Sequence, residues 1–276
     1  MMKKITLLAV LNASLISLCA QEVQLGELTG QAGFVNTSND MRIYYERYGT
    51  GDPLLILHGN SGSVKGRHSI ITDLAKTFEV VALDSRCHGN SSCPKEDLTY
   101  ENMMQDVHKV LEELDLKNVM IWGHSDGGIL GLMLASRYPD RIRRMLISGA
   151  NLRKSSLEPE LVAFVDRYDD IPDPRLKKQV KLMATQTEID VSDVKKIEIP
   201  VTLLVGDRDA MPLAHTLEIF YALPKANLAV FPGTTHFMED RQDDIVDLLN
   251  EMQQPFKAPS TVDVAKHMAR QIFGEK

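Results

Sequence analysis

The feature that most constrains the fold of this chain is the segment 123–128, which reads GHSDGG. It follows an apolar run at 118–122 and precedes a helix-like apolar run at 129–135. A buried strand that turns through Gly-x-Ser-x-Gly into a helix is a nucleophile elbow, in which the serine occupies a strained turn with its hydroxyl exposed. Glycines flank the serine because the chain passes too close to itself there for a Cβ atom. Ser125 is therefore the candidate nucleophile.

Around this turn, short apolar runs alternate with helix-like segments. The apolar runs have the character of strands buried on both faces of a parallel sheet, and they lie at 53–57, 78–83, 118–122, 144–148, 200–205 and 226–231. Helices are predicted at 67–76, 100–114, 129 to about 138, 214–223 and 243–252. An antiparallel hairpin over 24–35 and 41–48 precedes the series. This alternation predicts an α/β fold, with a mostly parallel sheet flanked by helices and joined by right-handed crossovers.

The alternation is interrupted between residues 150 and 198. This stretch is polar and has helix-like segments near 158–168 and 174–185. The simplest interpretation is a small helical lid, inserted at about 151–198 over the carboxyl edge of the sheet. We therefore predict one α/β domain over residues 21–276, of ordinary composition with 43% hydrophobic and 25% charged residues.

Residues 1–20 have the layout of a secretory signal peptide. Two lysines form a basic start, residues 5–18 are mostly apolar, and Ala20 ends the segment with a small side chain. The apolar stretch is short for a transmembrane helix. Cleavage after Ala20 predicts a periplasmic or secreted protein. The alternative is a lipoprotein signal with Cys19 lipidated, which would anchor the protein to a membrane.

Charge and cysteine content bear on the partners and the redox state. The formal net charge is −7 and the sequence has no basic run, so we expect no nucleic-acid partner. After loss of the signal segment two cysteines remain, Cys87 and Cys93. In an oxidising compartment this pair either closes a small disulfide loop or stays as two free thiols.

A nucleophilic serine needs a base, and the base needs an acid that orients it. One predicted strand runs into Asp207 and Asp209, and the next runs into a turn that ends at His236. Because the carboxyl ends of parallel strands lie along one edge of a sheet, these residues can converge with Ser125. We take His236 as the base and Asp209 as the acid, since Asp209 lies further past its strand. Asp207 is the competing acid.

Acyl transfer also requires backbone N–H donors for the oxyanion of the tetrahedral intermediate. The first candidate is the amide of Asp126, which follows the nucleophile at the start of a predicted helix. The second is the amide of Asn60, in the turn after the strand at 53–57. His58 and Gly59 are predicted to shape that turn rather than to react.

These pieces resemble the α/β-hydrolase superfamily over roughly residues 40–253. The resemblance is carried by the segments 58–60, 84–91, 123–128, 206–209 and 233–237. It implies the α/β-hydrolase fold, the triad named above, a small-molecule substrate and no cofactor. It also implies that Asp84, Arg86 and Ser91 are structural. One departure is Cys87, which stands where the family usually has glycine.

The nearest members by resemblance are of the biphenyl-hydrolase-like, esterase and enol-lactonase types. The biphenyl-hydrolase-like resemblance lies in residues 125–129 and 148–151. In that branch the acid after the nucleophile helps to hold a substrate amino group, which makes Asp126 a candidate substrate-binding residue. The simpler alternative is that Asp126 complements the positive end of its helix.

The leading hypothesis is a serine hydrolase that cleaves a carboxylic ester, or a related thioester, lactone or amide, through an acyl-enzyme. Hydrolysis of a carbon–carbon bond or of an enol-lactone on the same triad is an alternative with identical motifs. A different class is a catalytically silent binding protein that keeps the fold. We expect no metal site, because the histidines lack a ligand spacing such as H-E-x-x-H. The sequence leaves the oligomeric state open.

Overall fold

The fold is built on one sheet. A computed structural model describes residues 20–37, 41–185, 189–257 and 261–274. Within these residues the strands are β1 (Gln21–Leu25), β2 (Leu28–Asn36), β3 (Arg42–Tyr48), β4 (Asp52–Leu57), β5 (Phe78–Leu83), β6 (Val119–His124), β7 (Ile142–Ser148), β8 (Val201–Arg208) and β9 (Ala226–Thr235). They lie side by side in the order β1-β2-β3-β5-β4-β6-β7-β8-β9.

Strand pairing divides the sheet into two parts. The strands β1, β2, β3 and β5 pair antiparallel in succession, whereas β5, β4, β6, β7, β8 and β9 pair parallel. The prediction of an α/β fold with a mostly parallel sheet is confirmed. The parallel part brings the carboxyl ends of its strands to one edge, where residues that are distant in sequence can meet.

The antiparallel part contains one more turn than the sequence analysis predicted. The run from residue 24 to 35 was expected to be a single strand, but it divides into β1 and β2 around a two-residue turn at Gly26 and Glu27. Gly26 has φ +61°, a left-handed conformation that glycine adopts without strain. The chain can therefore reverse where the apolar pattern alone gives no break.

Helices cover both faces of the sheet. They are α1 (His68–Leu74), α2 (Tyr100–Glu113), α3 (Asp126–Arg137), α4 (Pro159–Val165), α5 (Pro174–Ala184), α6 (Val191–Val194), α7 (Leu213–Ala222), α8 (Gln242–Glu251) and α9 (Thr261–Phe273). The helices α2, α3 and α7 pack on one face, and α1 and α8 pack on the other. In β4, Leu55 and Leu57 pack in the core under α2, α3 and α7, whereas Leu54 and Ile56 pack in the core under α1 and α8. A strand buried on both faces is apolar at every position.

The helices α4, α5 and α6 lie between β7 and β8, in the stretch where a helical lid was predicted. The two helix-like segments of the sequence correspond to α4 and α5. The short helix α6 was missed, because a single turn leaves too short an apolar pattern to recognise. Its N-cap is Asp190, whose carboxylate accepts a hydrogen bond from the Ser192 amide at 2.7 Å.

The predicted signal segment and α9 lie at the two ends of the chain. Residues 1–19, which carry almost all of the predicted signal segment, lie outside the described residues, so the cellular address stays a prediction. Near the other end, α9 exposes the apolar side chains of Val264, Met268 and Ile272. Nowhere in the described part of the chain is a helix both long enough and apolar enough to cross a membrane.

Candidate active site

Ser125 lies in a sharp turn between β6 and α3. Its backbone has φ 53° and ψ −119°, a conformation that non-glycine residues rarely adopt. The turn requires glycine at positions 123 and 127. A Cβ atom at Gly123 would overlap the carbonyl oxygen of Gly127, and one at Gly127 would overlap that of Leu57. The Ser125 amide donates to the carbonyl of Ser148 on β7 at 2.8 Å. Close backbone packing therefore holds the serine at the carboxyl edge of the sheet.

The predicted base and acid form a hydrogen-bonded pair. The Nδ1 atom of His236 lies 2.7 Å from Oδ1 of Asp209, whose side chain is fully buried. The same oxygen accepts the amide of Met211 at 2.9 Å, which fixes the carboxylate. Gly149 lies under the imidazole with φ +60°, and a Cβ atom there would be 2.8 Å from Nδ1 of His236. The position after β7 thus leaves room only for glycine beside the pair.

The competing acid, Asp207, faces elsewhere. Its residue is exposed, and its carboxylate accepts the backbone amide of Thr234 at 3.3 Å. The structure therefore brings Asp209, and not Asp207, to His236. As the sequence predicted, Asp209 lies past the end of β8, where the chain is free to turn toward the next strand.

Ser125 and His236 line one cavity of about 490 Å³ at the carboxyl edge of the sheet. Within the described residues, no hydrogen bond joins the Ser125 hydroxyl to the His236 imidazole. Such contacts are often loose in a ligand-free enzyme and tighten when substrate binds. One side of the wall, formed by residues 59–67, carries polar side chains that include Arg67. Most of the apolar side chains come from the segment between β7 and β8, namely Leu157, Leu161, Phe164, Leu176, Val180 and Met183.

Asn60 and Asp126, the two predicted oxyanion residues, both line this cavity. Asp126 is the first residue of α3, so its amide belongs to the helix end that has no intrahelical acceptor. Asn60 follows β4 in a turn that passes directly over the nucleophile, since a Cβ atom at Gly59 would lie 3.0 Å from Cβ of Ser125. The structure thus brings both residues next to Ser125.

The Asp126 carboxylate is buried and held by two neutral donors. The Tyr100 hydroxyl donates to Oδ1 at 2.8 Å, and the Asn60 side-chain amide donates to Oδ2 at 2.9 Å. Burial raises the pKa of Asp126, although both hydrogen bonds oppose the shift. Tyr100 lies on α2, far from any recognised motif, so no local pattern in the sequence marks it as part of the site.

Two further histidines are buried near the predicted triad. Burial lowers the pKa of His58 to about 4 and holds the pKa of His124 well below its usual value, so both rings are neutral near pH 7. His124 lies with its ring centroid 4.9 Å from that of His236. Its Nδ1 atom contacts the Ser148 hydroxyl at 3.1 Å. No group of three or more His, Cys, Asp or Glu side chains in the described ranges is arranged to hold a metal ion.

The loop after β5 contains the departure from the family pattern. Cys87 has φ +62°, so it adopts the left-handed conformation that a glycine would take without strain. The structure links it to Cys93 in a disulfide, and its amide donates to the Ser92 carbonyl at 2.7 Å. The loop is therefore closed by a covalent bond and turns at Cys87 as glycine would.

The motif residues of this loop are in structural positions. The Asp84 carboxylate accepts the amides of Val64 and Asn90, each at 2.7 Å. Arg86 forms a buried ion pair with Asp106 on α2, with Nε and Oδ2 2.5 Å apart. These contacts join the loop to neighbouring elements, as the resemblance implied for Asp84 and Arg86.

Comparisons with known proteins agree with this architecture. A family model described as alpha/beta hydrolase fold matches residues 52–173, a range that includes Asn60 and Ser125. The chain is 37% identical over 125 residues to the serine hydrolase BPHL of Mus musculus, and 36% identical over 114 residues to a putative non-heme haloperoxidase of Mycobacterium phage D29. Each match covers 41% of this chain and 41% of the relative, so the chain spans about two fifths of these curated relatives.

A solved structure extends the likeness to most of the chain. It is MGS-M2, an alpha/beta hydrolase enzyme from a Medee basin deep-sea metagenome library. The alignment covers 83% of this chain and 99% of that one, with a TM-score of 0.73 and 20% sequence identity. At this identity the match concerns the fold. Together with the family match and the elbow geometry, it shows that the chain has the α/β-hydrolase fold.

Proposed function

We propose that the protein is a serine hydrolase that cleaves carboxylic esters through an acyl-enzyme. The observation that carries the proposal is the arrangement at the cavity. A serine in a strained turn lines the same cavity as a histidine whose Nδ1 atom is hydrogen-bonded to a buried carboxylate. Buried carboxylates that hold an imidazole in one tautomer are characteristic of catalytic triads.

In the first half of the reaction, Oγ of Ser125 attacks the ester carbonyl carbon while Nε2 of His236 takes the hydroxyl proton. Asp209, bonded to Nδ1, stabilises the imidazolium that forms. The amides of Asn60 and Asp126 donate to the developing oxyanion. When the tetrahedral intermediate collapses, the bond to the alcohol breaks, and the alcohol oxygen receives the proton from His236.

The second half repeats these steps with water. His236 takes a proton from a water molecule, whose oxygen attacks the acyl carbonyl carbon. The same two amides stabilise the second oxyanion. Collapse breaks the bond to Oγ, and His236 returns its proton to Ser125, which releases the carboxylic acid. The reaction consumes only the ester and one water molecule.

The wall of the cavity supports an apolar substrate of moderate size. Its apolar side chains come mostly from α4, α5 and the residues just before them. Asp126 is the wall's buried carboxylate, but Tyr100 and Asn60 already donate to its two oxygens. We therefore favour neutral esters over esters that carry an ammonium group, and we assign Asp126 to the support of the oxyanion turn rather than to the substrate.

Labelling with a fluorophosphonate tests this proposal. The purified protein is treated with the probe and the modified peptide is identified by mass spectrometry, with Ser125→Ala as the control. We expect one probe per chain at Ser125, hydrolysis of short apolar acyl esters, and slower hydrolysis of matched amino-acid esters. A folded wild-type protein that neither reacts with the probe nor cleaves any ester would contradict the proposal and favour a silent binding protein.

We also infer that residues 1–20 direct the chain out of the cytoplasm. The support is their basic start, apolar stretch and small final residue. The intact mass of the protein recovered from the periplasm or the medium tests this. A chain that begins at Gln21 is expected. A lipid at Cys19 in a membrane fraction would replace cleavage after Ala20 by the lipoprotein alternative, whereas an unprocessed cytoplasmic chain would contradict the inference.

A further inference from the structure

Helix α5 rests on the loop at 87–97, whose first part, residues 87–93, is closed by the disulfide. Two of its basic side chains each donate to three backbone carbonyls of that loop. Arg175 donates to the carbonyls of Cys87, Gly89 and Ser91 at 2.8–3.0 Å. Lys178 donates to those of Pro94, Lys95 and Glu96 at 2.5–2.9 Å. The helix is thus bound to a surface whose shape depends on the turn at Cys87.

The same helix reaches the oxyanion turn through Gln179. This side chain is buried, and its Nε2 atom donates to the carbonyl of Cys87 at 2.6 Å. Its own backbone carbonyl accepts the side-chain amide of Asn60 at 2.8 Å. Gln179 therefore connects the loop at 87–97 to the turn that carries one of the two proposed oxyanion donors.

The Asn60 side chain completes the connection. Its Nδ2 atom has two hydrogens, and they are donated to the carbonyl of Gln179 and to the carboxylate of Asp126 at 2.8 Å and 2.9 Å. Asn60 and Asp126 are also the residues whose backbone amides are proposed to hold the oxyanion. The side-chain amide of Asn60 thus joins both halves of the proposed oxyanion hole to α5, which we call the lid helix.

We infer that the Asn60 side chain is a positioning group that makes the oxyanion hole depend on the seating of α5. This inference rests on the proposed function. The turn it holds contains Ser61 at φ 57°, a strained conformation that requires support from its surroundings. Displacement of a catalytic donor by about 1 Å can cost about 10²-fold in rate. When α5 is unseated, Asn60 loses an acceptor and the turn loses its constraint.

The first test removes the bridge and keeps the backbone amide. In Asn60→Ala we expect kcat to fall by about 10- to 100-fold with little change in KM, because the oxyanion exists only beyond the ground state. The affinity of a trifluoromethyl ketone, which forms a tetrahedral adduct with the serine, should fall by a similar factor. Asn227→Ala makes the same chemical change at an exposed position at the start of β9 and should leave all three values unchanged.

A second pair of variants compares a lysine that holds α5 against the loop with a neighbouring lysine that does not. Neither side chain lines the cavity. Lys178→Ala removes the three contacts to the loop, whereas Lys177→Ala removes a weaker exposed contact to Asp169 at 3.4 Å. We expect Lys178→Ala to lower kcat by about 3- to 10-fold and to speed amide hydrogen exchange in α5. Lys177→Ala should do neither.

The outcomes separate this inference from the proposed function. If the wild-type protein labels at Ser125 and Asn60→Ala folds with unchanged kcat, the inference is overturned and the hydrolase assignment stands. If Asn60→Ala fails to fold, the pair at positions 177 and 178 decides, and equal kcat values in that pair overturn the inference. If the wild-type protein is inert toward probe and esters, it is the proposed function that fails.

Discussion

Ser125 and Cys87 both have a positive φ angle, 53° and 62°, but different surroundings impose it. Ser125 is enclosed by backbone from its own turn and from β4, at positions where a Cβ atom could not fit. Cys87 is held by a disulfide to Cys93 and by two side chains of α5 that donate to its carbonyl. A strained positive φ angle can thus come from packing within the core or from a tether to a peripheral segment.

The two positions also differ in what the strain supports. At Ser125 it exposes the side chain that is proposed to react. At Cys87 it turns the backbone carbonyl toward Arg175 and Gln179, which seat the lid. A left-handed conformation costs a non-glycine residue about 1–2 kcal/mol. Replacing each residue by glycine should therefore relieve strain at both positions, but only at Ser125 should it abolish a reaction.

The largest expected effect is at the elbow. Ser125→Gly should lower kcat by about 10⁶-fold, as loss of a triad nucleophile does, while raising the free energy of unfolding by about 1 kcal/mol. Ester hydrolysis and urea unfolding measure the two effects. Ser125→Ala is the control, since it removes the hydroxyl and keeps the Cβ strain. If both variants were equally stable, the elbow would not be strained in the way that its backbone angles indicate.

The acid behind the elbow comes next. Asp209→Asn should lower kcat by about 10⁴-fold, because an amide can hold His236 in the wrong tautomer. Asp207→Asn makes the same change on an exposed side chain bonded to the Thr234 amide and should change kcat less than about twofold. Steady-state kinetics on one ester compares them. A dead Asp207→Asn beside an active Asp209→Asn would reverse the assignment of the acid.

This contrast also explains what the sequence could and could not predict. The sequence pattern of the elbow lies within five positions of Ser125. Asp209 and His236 are each the first residue after a strand. Short motifs were therefore enough to find all three residues. The bridge through Asn60 and Gln179 joins residues 119 positions apart. No local pattern marks Gln179, since a buried glutamine on a lid helix has its meaning only from the loop that it meets.

The conformation of Cys87 was equally hidden. The sequence showed a cysteine in place of the usual glycine but not the backbone conformation of that cysteine. In the structure Cys87 has a positive φ and forms the disulfide that the sequence left as one of two alternatives. The division of residues 21–36 into two strands was missed for a related reason. It depends on the left-handed conformation of one glycine inside an otherwise extended pattern.

A smaller effect is expected at His58, which lies between the two regions. Its Nδ1 atom lies 2.7 Å from the Gly59 carbonyl in the turn over Ser125, and its Nε2 atom accepts the Ser85 amide of the other loop at 3.0 Å. Because the pKa of His58 is about 4 when folded and near 6.5 when unfolded, its neutral form stabilises the fold above pH 6.5. That stability is lost as the pH falls from 6.5 toward 4.

Urea unfolding at pH 7.5 and pH 5 measures this loss. His58 alone should reduce the free energy of unfolding by on the order of 2 kcal/mol between these values. His58→Gln should be less stable at pH 7.5 but should lose less stability on going to pH 5. The comparison of wild type with variant cancels the contribution of other histidines. An equal pH dependence in the two proteins would mean that His58 is not held neutral between the two loops.

The smallest expected effect on stability distinguishes the contribution of the Cys87–Cys93 disulfide from the strain of the positive φ angle at Cys87. The double variant C87G/C93S removes the disulfide and leaves a residue that suits φ +62°. It should lose about 1 kcal/mol of unfolding free energy, because the loss of about 2 kcal/mol for opening a ring of this size is partly offset by about 1 kcal/mol of relieved strain. The matched variant C87A/C93S removes the same bond but keeps a Cβ atom in the left-handed conformation, so it should lose about 1 kcal/mol more. Equal stabilities would show that the turn relaxes once the disulfide is gone. In that case the disulfide, and not the packing of the lid helix, would be what imposes the conformation at Cys87.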